Sequence, residues 1–452
     1  MFSCCRLCAA KDRCFYAAIP FDGTTKFARG CYSRQRMTTI GRPGSTDKVV
    51  RGATTALVLL TAMNFVNYLD RYILPAVQEQ IKGEFRLTDA QIGSLTLWFM
   101  VAYIGISPIT AWLGDRFPRK PMIVVAALAI AAMNFLTASV HDYLSLNLRH
   151  AALGIGEACF GIFAPALLAD FYPAEQRNRV MTIFNVALPV GAACSYEAGA
   201  WVAQHHGWRM SFMSSALPGV LVALLILIFL REPKRNARND VKTDRQSVFS
   251  LVRNRAYLSS IFGYAAVTFS LGGISWWMPS FLHREEGYSV EAAGGIMGPI
   301  IVVAGLGGTA FGGWVAQRWS RRTPKALYLL PALSAVLTVP PALMCFFGPA
   351  KLVIPSLSLA VFLIFLGTGP VNAATLNSVP SGLRATAMAG QLFVIHVVGD
   401  MPSSKIIGII SDHSTLRLGL GSTLLAMLAA AMIFFAGAQY APPLESPTQA
   451  AA

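Results

Sequence analysis

The chain has 452 residues, of which 54% are hydrophobic and 13% are charged, and its mean hydropathy is +0.52. Soluble domains carry about 25% charged residues, so this composition excludes an ordinary soluble protein and predicts a polytopic α-helical membrane protein. The formal net charge is +15, but the basic residues lie between apolar segments, which indicates membrane topology rather than nucleic-acid binding.

Residues 1–50 are predicted to form a disordered N-terminal extension. Five of the eight cysteines lie within residues 1–31, and Cys5 and Cys8 have a Cys-x-x-Cys spacing, but no second pair and no nearby histidine complete a metal site. The segment is basic and lacks an apolar core, so it does not match a secretory signal peptide. Met37 is an alternative start of translation. We expect neither a bound metal nor a cofactor.

Apolar segments of roughly membrane-spanning length follow one another along the rest of the chain. A helix needs about 20 apolar residues to cross a bilayer, and twelve segments meet this requirement. The twelve segments cover residues 53–78, 91–113, 121–140, 144–170, 179–203, 210–230, 257–282, 292–316, 325–347, 352–378, 385–410 and 416–439. After the last segment, a short disordered tail is predicted at 441–452.

The connections between these segments alternate in charge. Those at 116–120, 177–179, 231–255 and 318–325, and the one that contains Arg384, are basic, whereas the intervening connections are mixed or acidic. Because basic connections remain in the cytoplasm, both termini are predicted to be cytoplasmic. We expect a multi-pass protein of the plasma membrane, which in a bacterium is the inner membrane.

Two motifs occur twice along the chain. The segment 113–120 matches the segment 315–322 at an offset of 202 residues, and a Pro-x-x-x-Arg motif at 173–177 matches one at 380–384 at an offset of 207. Two separate motifs at nearly one spacing indicate an internal duplication.

The duplication predicts a fold of two pseudo-symmetric six-helix halves. The halves cover 51–230 and 257–440, and a basic cytoplasmic linker at 231–256 joins them. Tandem halves of this kind build many secondary transporters, with the substrate site between them near the middle of the membrane. The sequence therefore predicts an all-α polytopic transporter that works by alternating access.

Ionisable side chains inside the first and fourth apolar segments mark a candidate site. Asp70 and Arg71 each cost roughly 2.5–3.5 kcal/mol at a membrane helix centre, and as helix neighbours they point in different directions and cannot pair well. Arg149 and Glu157 are eight residues apart, which is about 80° around a helix and roughly 12 Å along it. Arg149 and Glu157 can therefore both face one cavity. Asp70, Arg71 and Arg149 are expected in the outer half of the membrane, and Glu157 nearer its middle.

Several motifs resemble known transporter families. The loop with Asp115, Arg116, Arg119 and Lys120 is similar to a signature of the major facilitator superfamily, although Ala111 and Gln317 depart from its pattern. A narrower set resembles the spinster family, which implies a proton-linked or facilitative transporter of lysolipids such as sphingosine-1-phosphate. This set comprises Asn67-Tyr-Leu-Asp-Arg71, Arg149-x-x-x-x-Gly-Ile-Gly-Glu157, Ala164-Pro-Ala-x-x-Ala-Asp170, Pro189-Val-Gly191, Leu383-Arg-Ala-Thr-Ala387 and His396-x-x-Gly-Asp400.

We hypothesise that the acids exchange protons and the arginines bind anions. Glu157 and Asp70 are the proton-coupling candidates, with Glu157 favoured, because burial and a neighbouring arginine act on a carboxylate in opposite directions. Arg71 and Arg149 are the head-group candidates, because a planar guanidinium binds two oxygens at once.

Other side chains are candidates for substrate contact or for gating. The further substrate-binding candidates are Phe65, Asn67, Tyr68, Trp276, Trp277, His396 and Asp400. For the aromatic residues, helix packing or an interfacial belt is the alternative. For His396 and Asp400, it is a polar helix–helix contact or a pairing of Asp400 with Lys405. The gating candidates at the cytoplasmic ends are Asp115, Arg116, Arg119, Lys120, Asp170 and Arg177; for Arg119 and Lys120, a solvated topology signal is the alternative.

Three other functions are compared with lysolipid transport. A transporter of a small organic anion, such as a sugar acid or an aromatic acid, keeps the fold and changes the substrate. An integral-membrane lipid enzyme is disfavoured because the sequence shows no convergent nucleophile or metal cluster. ATP-driven pumping is disfavoured because no Gly-x-x-x-x-Gly-Lys-Ser/Thr loop occurs. The expected protein is a monomer that interacts with an amphiphilic or anionic small molecule, protons and membrane lipids.

Overall fold

A computed structural model of the protein describes residues 49–233, 249–380 and 383–442. The predicted N-terminal extension, most of the linker and most of the predicted tail lie outside these residues. The described residues form twelve long helices. They are α1 (Ala53–Phe85), α2 (Asp89–Arg116), α3 (Arg119–Thr137), α4 (Tyr143–Phe171), α5 (Ala174–Cys194, continued by Ala200–His206), α6 (Trp208–Phe229), α7 (Arg255–Arg284), α8 (Val290–Ser320), α9 (Ala326–Phe347), α10 (Ala350–Leu366, continued by Thr368–Asn377), α11 (Arg384–Val394, continued by Met401–His413) and α12 (Leu416–Gly437).

Eleven of the described helices are long and apolar enough to cross a membrane. α1 is not among them, although its 33 residues exceed the length of a span. It carries Asn64, Asn67, Asp70 and Arg71, which lower its hydropathy. The fold is therefore that of an all-α, multi-pass membrane protein, and its most polar helix carries the charges that the sequence marked as a candidate site.

Side-chain hydrogen bonds cap the N-terminal ends of α2 and α4. The Thr88 hydroxyl accepts a hydrogen bond from the Gln91 N–H at 3.2 Å, and the Gln91 side chain accepts one from the Thr88 N–H at 2.9 Å. The Asp142 carboxylate caps α4 in the same way, through the Ser145 N–H at 2.8 Å. Such caps satisfy N–H groups that have no partner within the helix.

Two helices contain a π-helical turn. Ser195–Gly199 interrupts α5, and Ile395–Asp400 interrupts α11. A π turn holds an extra residue in the helix and is frequent at functional sites. The turn in α11 contains both His396 and Asp400, two of the candidate residues.

Helices α1–α6 form one half and α7–α12 the other. We term the end with the α1–α2, α3–α4 and α11–α12 connections the outer end, after the predicted topology, and the opposite end the inner end. Among the described residues, the halves touch chiefly where α1 packs on α7 and α8, α2 packs on α11, and α5 packs on α8.

Glycines allow the two halves to approach closely near the outer end. A Cβ atom on Gly93 would overlap the backbone oxygen of Ser404, and one on Gly294 would overlap that of Tyr196. We term this contact region the outer seam. The inner part of α11, Arg384–Val394, packs instead on α7 and α10 of its own half. The halves therefore meet at the outer end and diverge towards the inner end.

Candidate functional site

An ion pair between α1 and α4 lies at the centre of the candidate site. The Arg71 Nε donates to the Glu157 Oε2 at 2.7 Å, and the Arg71 Nη2 lies 2.5 Å from the same oxygen. The Glu157 side chain is fully buried, whereas 22% of the Arg71 side chain is exposed. Removing one partner of a buried pair typically costs about 3–5 kcal/mol. The pairing of Arg71 with a fourth-helix acid was expected from the sequence.

Aromatic rings surround the Arg71 guanidinium. Its Cζ lies 5.0 Å from the ring centre of Phe99, 5.5 Å from that of Tyr68 and 5.7 Å from that of Tyr103. Cation–π attraction holds a guanidinium at such distances and strengthens where water is excluded. The rings and the Glu157 carboxylate thus fix the cation while leaving one side of it open.

That open side faces a cavity of about 150 Å³ between the two halves. The first half contributes residues of α1, α2 and α4, and the second half contributes residues of α7 and α11. The lining includes Arg71, Tyr72, Thr96, Phe99, Met100, His150, Thr268, Leu271, Ser275, Trp276, Asp400 and Ser404. The cavity therefore joins the Arg71 cation and the Asp400 carboxylate with aromatic and aliphatic walls, and the part around Arg71 suits an anion with an apolar part.

His396 and Asp400 form a second polar pair within the α11 π turn. The His396 Nδ1 lies 3.0 Å from an Asp400 carboxylate oxygen. Asp400 lines the cavity, and the His396 ring lies 6.4 Å from the ring of Tyr103 on the opposite half. Of the two partners considered for Asp400, the structure pairs it with His396 rather than Lys405.

Asp70 points away from the cavity. It is 1% exposed and lies beside Asn134 and Ser215 in the interior of the first half. This placement follows from the angle of about 100° between neighbouring helix residues, which turns Arg71 to the cavity and Asp70 to α3 and α6. The two proton-coupling candidates therefore occupy different environments.

The structure does not bring Arg149 to the cavity. The Arg149 guanidinium donates to the backbone oxygen of Leu136, and at 3.2 Å to the Ser139 hydroxyl, both near the C-terminal end of α3. Carbonyl groups at a helix C-terminus attract a cation, which accounts for the departure from the expected cavity position. The neighbouring residue His150 lines the cavity instead.

The remaining substrate-binding candidates divide between lining and packing. Trp276 lines the cavity, and Tyr68 contacts Arg71. Trp277 is fully buried and donates its indole N–H to the Ser404 oxygen at 2.9 Å, so it joins α7 to α11. Phe65 packs against the hydrophobic core of the first half, and Asn67 is 4% exposed.

The gating candidates assemble at the inner end of the first half. Arg119 is 5% exposed, pairs with Asp170, and donates to the Ala166 oxygen at 3.1 Å. Glu232 accepts hydrogen bonds from the Arg119 N–H at 2.5 Å and the Lys120 N–H at 3.3 Å. These contacts join α3 and α4 to the start of the linker, and a hydrogen bond of 3.3 Å from the Arg119 Nε to the Gly114 oxygen adds α2.

The other three gating candidates lie on the surface near this cluster. Arg116 stacks on the Trp112 ring, with its Cζ 4.2 Å from the ring centre, and Arg177 donates to the Tyr172 oxygen at 3.1 Å. Asp115 is exposed at the end of α2. The geometry is compatible with the expected gate and leaves that role a prediction.

Sequence reasoning missed an ionic cluster at the outer end, which we term the outer network. Arg284 of the second half binds both carboxylate oxygens of Glu79, at 2.6 and 2.7 Å, and lies 2.7 Å from Asp89. Lys82 approaches Asp89 to 2.5 Å, and Asp412 accepts from the Asp89 N–H at 2.7 Å. These residues lie at helix ends, and the sequence alone does not reveal which charged residues pair there. The outer network joins the two halves at the outer end.

Solved structures share this architecture. A bacterial homolog to the human lysosomal transporter spinster, in an inward-facing and unoccupied conformation, superposes with a TM-score of 0.80 at 20% identity, covering 88% of this chain and 99% of that chain. A D-xylose–proton symporter superposes with a TM-score of 0.68 at 16% identity, covering 86% and 98%. At these identities the likeness shows the fold alone.

Sequence relatives identify the family. The Major Facilitator Superfamily model matches residues 60–399. Spinster homolog 1 of Xenopus tropicalis is 30% identical over 396 residues, which cover 80% of this chain and 74% of that protein. A sphingosine-1-phosphate transporter of Xenopus tropicalis is 29% identical over 391 residues, which cover 82% and 76%. These relatives are transporters, not enzymes, and they confirm the resemblance seen in the motifs. The chain belongs to the major facilitator superfamily and, within it, to the spinster family of multi-pass membrane transporters.

Proposed function

We propose that the protein carries an amphiphilic anion of the lysolipid class, similar to sphingosine-1-phosphate, by alternating access coupled to protons. The observation that carries this proposal is the Arg71–Glu157 pair, which faces a cavity between the two halves. The relative named as a sphingosine-1-phosphate transporter supports the substrate class. The proposed location is the plasma membrane, with both termini in the cytoplasm and the monomer as the working unit.

Arg71 is the proposed anion-binding residue. Both of its contacts with Glu157 go to a single carboxylate oxygen, so part of the guanidinium fork remains available towards the cavity. A phosphate or carboxylate group can occupy that fork with two parallel hydrogen bonds. The substrate anion would then compete with Glu157 for the same cation.

Glu157 is the proposed proton carrier. Its Oε1 has no hydrogen-bond partner within the described ranges, so this oxygen can take a proton without breaking another contact. Protonation removes the negative charge that holds Arg71 and leaves the cation to the substrate. Proton and anion are therefore bound together and released together. Asp70 is proposed as a secondary proton site, because it is buried without an ionic partner in the described structure.

The conformational cycle is proposed to alternate between two closures. The outer network and the outer seam hold the outer end shut, and the cavity opens towards the inner end, as in the inward-facing homolog. The cluster around Arg119 and Asp170 is proposed to guide closure of the inner end in the opposite state. Each closure would give access to one side of the membrane only.

A compact organic anion is the second candidate substrate. The cavity volume of about 150 Å³ favours a small ligand, since the acyl chain of a lysolipid must extend towards the opening between the halves. A sugar acid or an aromatic acid would bind Arg71 through the same fork. The two candidates differ in whether an alkyl chain contributes to binding.

The substrate class is tested by uptake into proteoliposomes. Sphingosine-1-phosphate, lysophosphatidic acid, a sugar acid and an aromatic acid are compared with and without a pH gradient. We expect gradient-dependent uptake of the two lysolipids, its loss in Arg71→Ala, and its retention in the control Arg149→Ala, whose guanidinium lies outside the cavity. Uptake of the small acids alone would replace the lysolipid proposal, and equal uptake with and without the gradient would remove proton coupling.

A further inference from the structure

The cavity contains hydrogen-bond donors that the Arg71–Glu157 pair does not use. Trp276 lines the cavity and is 7% exposed, and its buried indole Nε1 has no hydrogen-bond partner in the described part of the chain. A buried donor without a partner is unfavourable, because it has lost its hydrogen bonds to water. An indole N–H is a donor only, so its complement is an acceptor atom.

His150 provides a second donor from the opposite half. It is 7% exposed, and its ring lies 5.1 Å from the Phe99 ring and 6.4 Å from the Trp276 ring. No hydrogen bond engages its ring nitrogens among the residues described. A neutral imidazole keeps one N–H in either tautomer. The cavity thus has a neutral donor on α4 facing a neutral donor on α7.

The hydroxyl of Thr96 adds to this polar strip. Thr96 lines the same cavity, and its buried Oγ1 also lacks a partner within 49–233, 249–380 and 383–442. Phe99, Met100 and Leu271 give the same cavity an apolar part. Three unsatisfied polar groups in one aromatic wall beside a cation indicate a ligand with more acceptor oxygens than the cation alone can bind.

We propose that His150 and Trp276 form a clamp that binds a further acceptor oxygen of the anionic head group, in addition to the oxygens held by Arg71. The proposal rests on the proposed function of the cavity as an anion site. The clamp takes one donor from each half, so an occupied clamp ties the halves together around the substrate. It selects a tetrahedral phosphate monoester, which offers three terminal oxygens, over a carboxylate, which offers two.

Two probes of equal chain length test this selection on the full-length protein. Dodecyl phosphate and dodecanoate are titrated against purified protein in detergent, and the ratio of their dissociation constants is measured. The test variants are Trp276→Phe and His150→Phe, which keep an aromatic ring and remove the N–H. His150→Gln restores a donor. Trp98→Phe is the matched control, because Trp98 is 47% exposed on the surface of α2.

The clamp predicts a selective loss. Each Phe variant should weaken dodecyl phosphate binding about tenfold, as expected for one hydrogen bond to a charged group, and change dodecanoate binding by less than about threefold. His150→Gln should recover most of the phosphate affinity, and Trp98→Phe should match the unmodified protein. Thermal unfolding of every variant in detergent reports folding separately from binding.

Three outcomes would overturn the proposal, and they are distinguishable. If Arg71→Ala abolishes binding of both probes while the Phe variants leave the phosphate-to-carboxylate ratio unchanged, the anion site stands and the clamp is wrong. Equal weakening of both probes by the Phe variants would show a packing role instead of a clamp. If the unmodified protein binds neither probe, the clamp and the anion site fail together.

Discussion

At the residue scale, Arg71 is the main functional candidate, because its neighbours hold the guanidinium in place and leave part of it available to a ligand. Three aromatic rings and one oxygen of Glu157 hold the guanidinium. A buried ion pair is weak evidence for stability, since desolvation offsets much of the attraction. A pair that faces a cavity between two moving halves is better explained by use than by stability.

Lysine cannot replace Arg71 in this role. A lysine ammonium keeps the charge but lacks the planar fork that binds two oxygens in parallel. We expect Arg71→Lys to weaken binding of dodecyl phosphate about tenfold, and Arg71→Ala to weaken it about a hundredfold. The measurement is a binding titration, with Arg149→Lys as the control. Unchanged affinity in Arg71→Lys would show that charge alone is recognised.

The residue-level site was partly predictable from the sequence. Arg71 and Glu157 were found because a charge in an apolar segment demands a partner. Arg149 was expected beside them and lies elsewhere, because spacing along a helix does not reveal the carbonyl groups of a neighbouring helix end. His150 was missed, although an ionisable side chain within the fourth apolar segment was itself a signal.

The helix elements show why the outer end is closed in this structure. The outer network ties α1 and α2 to α7 and α11. Glycines at the outer seam let backbones touch, as small residues do between membrane helices. Two neighbouring glycines of α8 differ sharply in this respect. A Cβ added at Gly294 would meet the Tyr196 backbone, whereas one added at Gly295 would have no neighbouring atom within 4 Å.

Alanine substitutions at Gly294 and Gly295 therefore form a matched pair of variants. Gly294→Ala should force the outer seam apart, because its added Cβ meets backbone rather than a flexible side chain, and Gly295→Ala should leave the seam closed. We expect a cysteine introduced at Ser275 in the cavity to react at least about threefold faster with an impermeant thiol reagent from outside in the Gly294 variant. Equal reaction rates in both variants would contradict the seam as a closure.

An ion pair joins two helices at the outer end of the first half. Glu84 binds Arg209 through two contacts of 2.7 Å and accepts from the Trp208 indole at 2.7 Å, which joins α1 to α6. The hydrogen bond from Arg209 holds the pKa of Glu84 below its usual value of 4.5. A lowered carboxyl pKa adds stability above the unfolded-state pKa, and this contribution is lost as the pH falls.

Glu84→Gln should therefore destabilise the protein near neutral pH but not in acid. Because Glu84 is largely exposed, the expected loss is only about 0.2–1 kcal/mol. Thermal unfolding in detergent should show a small drop in Tm at pH 7 that disappears below about pH 4. Glu197→Gln, at an exposed glutamate of α5, is the control. A Tm difference that persists unchanged in acid would rule out the ionic origin.

At the scale of the whole molecule, most of the fold could be predicted from the apolar segments of the sequence. Every apolar segment found in the sequence corresponds to one helix of the structure, because a backbone in lipid must satisfy its own hydrogen bonds. Some helices extend beyond the predicted segment, as α1 does by continuing to Phe85, whereas α3 ends at Thr137, before the predicted end at residue 140. The π turns in α5 and α11 were not predicted, since they depend on packing between helices and leave no hydropathy signal.

The two halves contact each other at the outer end, and the candidate site lies between them. The outer end is joined by ionic contacts and glycine packing, and the cavity with Arg71 and Glu157 lies between the halves. The proposed alternating access needs two closures that exclude each other, and the outer network and the outer seam form the proposed outer closure. The proposed coupling requires that one group in the cavity respond to both the proton and the substrate, and Glu157 contacts Arg71, the proposed substrate-binding cation.

Proton movement driven by the substrate tests this coupling most directly. Proteoliposomes that contain a pH-sensitive dye and no imposed gradient receive sphingosine-1-phosphate from outside, and the lumen pH is followed. We expect acidification by the unmodified protein and none by Glu157→Gln, in which a neutral amide replaces the exchangeable carboxyl while exchange of labelled substrate continues. Acidification by Glu157→Gln equal to that of the unmodified protein, or substrate uptake without any proton movement, would contradict it.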